Sequence, residues 1–274
     1  MKWERISGRT GYFDTPLAIV PTYHLSENEI VMIDSGVKPD PELLDELKRL
    51  NLRVRAVLCT HLHPDHIANN PSLVEQYGTE IFSTQAERES HEHWEKLPYD
   101  ITFLDGKTSV VIDETEFAIL PTQGHSAGHL AYVTPDGVCC VGDVLMTAPV
   151  LRWSKMPYMD DVDGCIVSME RLRDTKFPFY AIAHKGVVPF EEMPALVDEN
   201  IQKELDLYDL LRRQIAEPKR REDVLRDFML AAGIQERNLN TFFIRYTAKM
   251  RLEALIDAGE YYLRDGMVIP CHKH

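Results

Sequence analysis

The sequence predicts an α/β fold in which short buried strands alternate with helices, followed by a smaller helical unit. Apolar runs of strand length alternate with helical patterns through about residue 190. From about residue 195 long helical patterns dominate. Histidine or aspartate follows several of the predicted strands. We therefore predict a first domain at residues 1–194 and a C-terminal helical domain at residues 195–274.

The first domain is built from short apolar segments separated by turns. The predicted strands are EIVMID (29–34), VRAVLCT (54–60), TEIFST (79–84), SVVID (109–113), TEFAILPT (115–122), the two strands of LAYVTPDGVCCVGD (130–143) and FPFYAIAH (177–184). Pro135-Asp136-Gly137 supplies the turn of the hairpin. The predicted helices are PELLDELKRL (41–50), IANNPSLVEQYG (67–78) and QAERESHEHW (85–94).

The C-terminal domain is predicted to hold three helices and a closing hairpin. The helices are ALVDENIQKELDLYDLLRRQIA (195–216), REDVLRDFMLAAG (221–233) and NTFFIRYTAKMRLEALIDAG (240–259). The hairpin is EYYLRDGMVIP (260–270), with Asp265-Gly266 as its turn.

The charge is unevenly distributed and narrows the classes of partner. The chain carries a formal net charge of −14, and residues 1–194, with 30 acidic and 17 basic residues, hold −13 of it. The first domain is therefore a poor general binder of a phosphate backbone.

The expected cellular location is inferred from two kinds of apolar segment, a membrane span and a signal peptide. No apolar run approaches the roughly 20 residues that span a bilayer, and the first residues lack the apolar centre of a signal peptide. We expect a cytoplasmic protein without membrane contact. The cysteines have no CxxC spacing, so we expect reduced structural thiols: Cys59, Cys139, Cys140, Cys165 and Cys271.

Metal-ligand residues concentrate in AVLCTHLHPDHIANN, residues 56–70, where four of them fall within six positions. Others follow separate predicted strands. The full set of predicted ligands is His61, His63, Asp65, His66, His125, Asp143 and His184. Asp34 also ends a predicted strand. Rigid strands position the loops that follow them, so one site at the strand ends is predicted.

The spacing suggests how two cations would be held. His61 and His63 are two residues apart, so in an extended segment both imidazoles point the same way, and His125 would complete a three-histidine face. Asp65 and His66 point elsewhere, and with His184 they would hold a second cation.

Asp143 could give one oxygen to each metal. Nitrogen and oxygen ligands without thiolate suit zinc, manganese or iron at an open catalytic site. Such a site supplies hydroxide at neutral pH, and Asp65 is the candidate catalytic residue that orients a group or accepts a proton.

At these residues the chain resembles a known family. THLHPDH resembles the HxHxDH signature of the metallo-β-lactamase superfamily, and GHSAGH (124–129) resembles its second motif, whose first histidine is a ligand. Over residues 10–190 the resemblance implies an αββα sandwich with a dinuclear site along one edge. It implies two divalent ions, zinc before manganese or iron, and an outer, hydrogen-bonding role for Asp34, for which a turn-forming role is the alternative. His129 is interpreted as support or packing.

The C-terminal domain is similar to the winged-helix appendage of some relatives. In those proteins it is associated with nucleic acid, dimerisation or pocket covering. Nucleic acid is here the less favoured partner, and a homodimer stays open.

The leading hypothesis is a metal-dependent hydrolase that directs a metal-bound hydroxide at the carbonyl of a small-molecule thioester, lactone or ester. The alternatives are an endoribonuclease or phosphodiesterase, and a mononuclear iron sulfur dioxygenase. The charge of the first domain argues against the nuclease.

Three further segments were open to interpretation. His91 and His93 lie in a charged helical run and are predicted to be surface residues. His272 and His274 are predicted to lie in a terminal tail. Residues 145–159 either wall a substrate pocket or pack against the C-terminal helices.

Overall fold

A computed structural model describes residues 2–93 and 95–271. Its first sheet has seven strands in chain order. They are β1 (Trp3–Ser7), β2 (Thr10–Asp14), β3 (Ile19–His24), β4 (Glu29–Ile33), β5 (Arg53–Leu58), β6 (Glu80–Ser83) and β7 (Thr102–Phe103). β1 to β4 pair antiparallel, and β4 to β7 pair parallel.

The second sheet runs in the order β13-β12-β11-β10-β9-β8. Its strands are β8 (Ser109–Ile112), β9 (Thr115–Pro121), β10 (Leu130–Val133), β11 (Val138–Gly142), β12 (Phe179–Ile182) and β13 (Gly186–Pro189). β11 and β12 pair parallel, and the other neighbours pair antiparallel.

Helices pack against the outer faces of both sheets and also form parts of the loops between strands. They are α1 (Pro41–Arg49), α2 (Pro64–Ile67), α3 (Asn70–Tyr77), α4 (Gln85–Glu92), α5 (Ala148–Trp153), α6 (Val162–Arg173), α7 (Met193–Arg213), α8 (Arg221–Ala231) and α9 (Phe242–Asp257). Short 3-10 turns lie at Phe190–Glu192 and Glu236–Asn238.

The buried apolar residues form the layers of a sandwich. One cluster lies between the sheets and joins Leu58 of β5 to Tyr132 of β10. A second joins the outer face of the first sheet to Leu43 and Leu47 of α1. A third joins the second sheet to α6, α7, α8 and α9. The αββα architecture predicted from the sequence is confirmed.

The predicted helix over residues 67–78 is divided in two. α2 ends at Ile67 and α3 begins at Asn70. Pro71 has no N–H to donate to Ile67, so one continuous helix would lose a bond there. The Ala68 N–H donates instead to the Gly36 carbonyl at 3.3 Å, which ties this junction to the loop after β4. α3 ends at Gly78, as predicted, and this glycine caps the helix in a left-handed conformation at φ 64°.

The C-terminal residues form helices around a small sheet. Its strands are β14 (Lys219–Arg220), β15 (Tyr261–Arg264) and β16 (Met267–Pro270), in the order β14-β16-β15. The element order α7-β14-α8-α9-β15-β16 agrees with a winged-helix-like unit, and that assignment stays a prediction. So does the boundary near 194, although α7 begins at Met193. No helix in the described ranges is long and apolar enough to cross a bilayer.

Candidate metal centre

Five strand ends bring ligand-type side chains to one edge of the sandwich. β4 and β5 of the first sheet and β9, β11 and β12 of the second lead to Asp34, His61, His125, Asp143 and His184. Two backbone hydrogen bonds join the sheets here, from Leu130 to Thr60 at 2.8 Å and from Ile19 to Ala183 at 2.9 Å. The loops of both sheets therefore share one framework.

Three histidines form the first candidate group. His61, His63 and His125 each offer one nitrogen, and these atoms lie within 4.8 Å of one another. The His125 Nε2 is 3.1 Å from the His63 Nδ1. The His61 and His63 ring centroids are 4.4 Å apart. The three imidazoles converge on one position that a single cation could occupy.

Two carboxylates and two histidines form the second group: Asp65, His66, Asp143 and His184. Asp143 is central to it, with Oδ1 3.3 Å from the His66 Nε2 and Oδ2 3.3 Å from the His184 Nε2. Asp65 Oδ2 lies 3.5 Å from the same His184 nitrogen. Asp143 Oδ2 is also 3.8 Å from the His125 Nε2, so this carboxylate connects the two groups.

Hydrogen bonds assign the nitrogen that each histidine presents when neutral. The Thr60 hydroxyl donates to Asp34 at 2.8 Å, so it accepts from the Nδ1–H of His61 at 3.0 Å. His66 donates its Nδ1–H to Asp34 at 2.8 Å. His184 donates its Nδ1–H to a backbone carbonyl in the β2–β3 loop at 3.2 Å. In all three the Nε2 lone pair is left for a metal.

Burial keeps the three-histidine group uncharged. It holds the pKa of His61 well below its usual value and lowers that of His125. Burial, with the neighbouring His125, lowers the pKa of His63 to about 3. Neutral imidazoles are the form that binds a metal.

The second group has the opposite electrostatics. The Asp143 charge raises the pKa of His184 to about 10. Burial lowers the pKa of His66, but Asp143 and Asp34 outweigh it and the pKa lies well above the usual value. Burial favours protonated Asp65, but the hydrogen bond with His184 and the charge of His66 lower its pKa to about 2. Protons on two imidazoles thus balance the two carboxylates.

Unpartnered buried atoms test whether a cation fits. Within the described ranges, the His61 Nε2 is buried and makes no hydrogen bond, and the His66 Nε2 and the Asp143 Oδ1 are buried with only the 3.3 Å ionic contact to each other. Such atoms are costly unless something binds them. The donor set of nitrogen and oxygen without sulfur suits zinc, manganese or iron. The residues therefore fit two divalent cations, and the seven predicted ligands are the ones that the fold brings together.

Sequence reasoning missed two residues that support the site. Thr60 orients His61 and Asp34 as described above, and its place beside the first ligand was its only signal. Glu87 of α4 is 2% exposed and accepts from the Leu62 N–H at 3.0 Å and the Gly128 N–H at 2.7 Å. It ties the loop of the histidine cluster to the loop that follows His125, and nothing in its local sequence marks that role.

Asp34 and His129 lie outside the ligand groups. Asp34 accepts from the Thr60 N–H at 2.7 Å as well as from His66, which agrees with an outer role. The Asp143 N–H donates to the His129 Nε2 at 3.3 Å, so His129 uses its Nδ1–H toward Thr122, 2.9 Å away. Both nitrogens of His129 are engaged, and none is left for a metal.

The other histidines that the structure describes do not join the site. His93 is exposed, but His91 is half-buried and donates its Nδ1–H to the Leu62 carbonyl at 2.7 Å, so the surface interpretation is wrong for His91. The imidazole docks there because α4 packs against the ligand loop. Trp94, His272 and His274 lie outside the described residues.

A cavity of about 700 Å³ opens beside both groups. Its lining residues are Leu17, Val37, His63, Pro64, Asp65, His125, Asp143, Met146, Val150, Trp153, Ser154, Tyr158, His184 and Phe243. Residues 145–159 thus wall the cavity, and they also pack inward, since Leu151 and Met159 are buried. Met159 belongs to the buried cluster shared with the C-terminal helices, which supports the packing interpretation, and the substrate pocket stays a prediction.

Comparisons with known proteins agree with this geometry. Residues 18–184 match the family model described as the metallo-beta-lactamase superfamily. A hydroxyacylglutathione hydrolase from Buchnera aphidicola is 32% identical over 122 residues, which are 44% of this chain and 45% of that protein. One from Nitrosomonas eutropha is 34% identical over 101 residues, 36% of each chain. The chain spans less than half of the length of these curated relatives.

Solved structures extend the likeness to the whole fold. A metallo-beta-lactamase family protein from Thermus thermophilus superposes with a TM-score of 0.75 and 17% identity, covering 96% of this chain and 97% of that one. A beta-lactamase domain protein from Burkholderia ambifaria gives 0.70 and 16%, covering 98% and 93%. The family model covers more than half of the chain and includes all seven candidate ligands. The chain therefore belongs to the metallo-beta-lactamase superfamily.

Proposed function

We propose that this protein is a dinuclear metal hydrolase that cleaves thioesters, with lactones and other esters as the neighbouring substrate class. The observation that carries the proposal is the pair of ligand groups linked by Asp143 at the floor of an open cavity. The hydroxyacylglutathione hydrolases that match parts of the chain act, by their name, on a thioester-bearing conjugate.

The ligand groups define where the metals would bind. His61, His63 and His125 would hold one cation, and Asp65, His66 and His184 the other, with Asp143 between them. Two bound divalent ions would lower the pKa of water and polarise a carbonyl oxygen. Zinc is the metal that we propose first.

Asp65 is the residue that we propose to act on protons. Its carboxylate is half-buried, lines the cavity and stays charged at neutral pH because its pKa is near 2. A charged carboxylate facing the substrate can orient a water molecule by accepting a hydrogen bond from it. Cleavage then adds water across the carbonyl–sulfur bond, and the thiol leaves with one of the protons.

The test combines metal content with a substrate panel. We expect about two zinc ions per chain in protein purified without chelators, from the two ligand groups. Hydrolysis of thioesters and lactones should fall by more than about 100-fold in His61→Ala and Asp143→Ala, because each removes a ligand. His93→Ala is the matched control, since His93 is exposed and outside both groups.

Equal rates in wild type and the ligand variants would overturn the proposal. About one iron per chain with oxygen consumption would favour the sulfur dioxygenase. Salt-sensitive cleavage of RNA would favour the nuclease.

We also propose that the substrate is a small molecule, that the protein is cytoplasmic and that it forms a homodimer.

A further inference from the structure

We propose that the cavity beside the ligand groups binds an uncharged apolar substituent of the substrate, and that Trp153 and Phe243 set how much of it is bound. This inference rests on the proposed hydrolase. It adds the chemical class of the group attached to the scissile carbonyl, which the ligand groups leave open.

Large apolar side chains are exposed to solvent on the wall of this cavity. Trp153 is 82% exposed, Leu17 60% and Phe243 50%. Met146 and Val150 lie beside them in the lining. An isolated exposed apolar residue needs no explanation, but several on one concave surface mark a binding site.

The charges of the lining separate the cavity into two halves. The ligand groups supply its polar floor, and among the described residues that line it there is no lysine or arginine. Lys185, next to His184 in sequence, is 2.9 Å from the Asp14 carboxylate. In the apolar half of the cavity, a substrate carboxylate would lose its hydration without gaining a cationic side chain as a partner. A neutral apolar group has little hydration to lose in that half, and its burial there is favourable.

The apolar wall is held by the C-terminal helix α9. The Pro157 carbonyl accepts from the Thr247 hydroxyl and the Arg251 Nη2, both at 2.9 Å. Arg251 is fully buried and also donates to Glu204 of α7 at 2.5 Å.

Tyr158 carries this support to the site. Its ring stacks on Tyr246 at 5.7 Å and 13°, and its centroid is 4.9 Å from that of His63. Its hydroxyl donates to Asp160 at 2.7 Å. α9 thus fixes the segment that carries Trp153 and Tyr158, and it adds Phe243 to the same wall.

Two thioester series test the inference. One varies the acyl group from acetyl to decanoyl on the neutral thiol N-acetylcysteamine. The other keeps an acetyl group and lengthens the thiol, which separates an apolar acyl group from an apolar leaving group. In one of the series kcat/KM should rise about threefold to fourfold per added methylene until the cavity is filled. Glutathione thioesters of equal acyl length should not be better substrates.

Trp153 and Phe243 should determine how steeply kcat/KM rises with chain length. Trp153→Ala and Phe243→Ala should each flatten the dependence of kcat/KM on chain length, while Phe103→Ala should keep the wild-type slope. Phe103 is a matched control because it is 39% exposed on β7 and lies outside the lining. Flat dependence in both wild-type series, a more than tenfold preference for glutathione thioesters, or unchanged slopes in both wall variants would each overturn the inference.

A binding measurement keeps this result separate from the fate of the hydrolase proposal. The thioether N-acetyl-S-decylcysteamine has the apolar chain but no scissile carbonyl. Its binding should change tryptophan fluorescence in wild type and in His61→Ala, and the change should be lost in Trp153→Phe. Such binding without cleavage of any thioester would overturn the hydrolase and leave the apolar site standing. Metal-dependent cleavage with flat series and no thioether binding would do the reverse.

Discussion

A single residue, Asp34, orients two of the candidate ligands from outside the cavity. It lies in the left-handed region at φ 60°, accepts from His66 and, through Thr60, sets the ring of His61. The sequence could place Asp34 at a strand end but could not reveal Thr60 as the connection, because that contact depends on the parallel pairing of β4 with β5. The ligand pattern itself was readable because its members lie close in sequence or directly after apolar runs.

Asp34→Asn should weaken metal binding without unfolding the protein. Asparagine tolerates a positive φ, but it removes the charge that holds His66. We expect the affinity of the second group for zinc to fall about 10- to 100-fold, measured by zinc content at buffered free zinc. Asp113→Asn is the control, because Asp113 also has a positive φ, at 46°, and pairs with Arg55 away from the site. Equal losses in both variants would contradict this role.

Metal binding should release protons from one group only. His61, His63 and His125 have lowered pKa values and are neutral at pH 7, so a cation displaces nothing from them. His66 and His184 have raised pKa values and are charged at pH 7 in the metal-free protein. Binding to the second group should therefore release about two protons and strengthen as pH rises toward 10.

Calorimetry of zinc binding in two buffers with different ionisation enthalpies measures this release. One event without proton release and one with it would agree with the prediction. Release shared equally between the two events would contradict it.

Strands and helices could be predicted where the spacing of apolar residues in the sequence matches the residues that the fold buries. β4, β11 and β12 were predicted because both of their faces are mostly apolar, and β5 because Val54, Ala56 and Leu58 form one buried apolar face. β1 and α6 were not predicted. β1 is largely exposed and is a strand because it pairs with β2. The division between α2 and α3 depends on the loop after β4, which no local pattern contains.

Gly142, the last residue of β11, should tolerate no side chain. It has φ 58°, and a Cβ there would lie 2.7 Å from both the His129 Nε2 and the Thr60 Oγ1. Gly106 has a similar φ of 68° but open space around it. Gly106→Ala should lower the free energy of unfolding by about 1 kcal/mol, the cost of the left-handed backbone.

Gly142→Ala should lower it by a further 1–3 kcal/mol, roughly, because His129 and Thr60 must move. Urea unfolding measures both variants, and a similar loss in the two would show that the contact has no cost.

At the scale of the whole molecule, one core crosses the predicted domain boundary. Val141 of β11, Met169 of α6, Leu211 of α7, Phe228 of α8 and Leu252 of α9 belong to the same buried cluster. Near residue 195 the sequence changes from alternating strand and helix patterns to long helical patterns. Such a change does not show whether the two segments share a core. That is why the αββα fold could be predicted from the sequence and the core that it shares with the C-terminal helices could not.

The shared core predicts cooperative unfolding. Residues on both sides of position 194 should lose structure together, giving one transition whose calorimetric and van't Hoff enthalpies agree. Calorimetry of the metal-free protein measures this, because dissociation of bound metal during unfolding would break the two-state treatment. Two resolved transitions would mean that the C-terminal domain is stable independently.

The cavity wall supported by α9 and the candidate metal ligands belong to different parts of the fold. The ligands follow the strands of the two sheets, whereas Trp153 and Phe243 belong to helices α5 and α9. Selection for a new substrate can therefore act on the wall while leaving the chemistry intact. A mutant library confined to residues 145–159 and 240–251 should yield variants with altered preference far more often than one directed at the strand ends. The fold thus separates the residues proposed for the reaction from those proposed for substrate preference, which makes the preference readily evolvable.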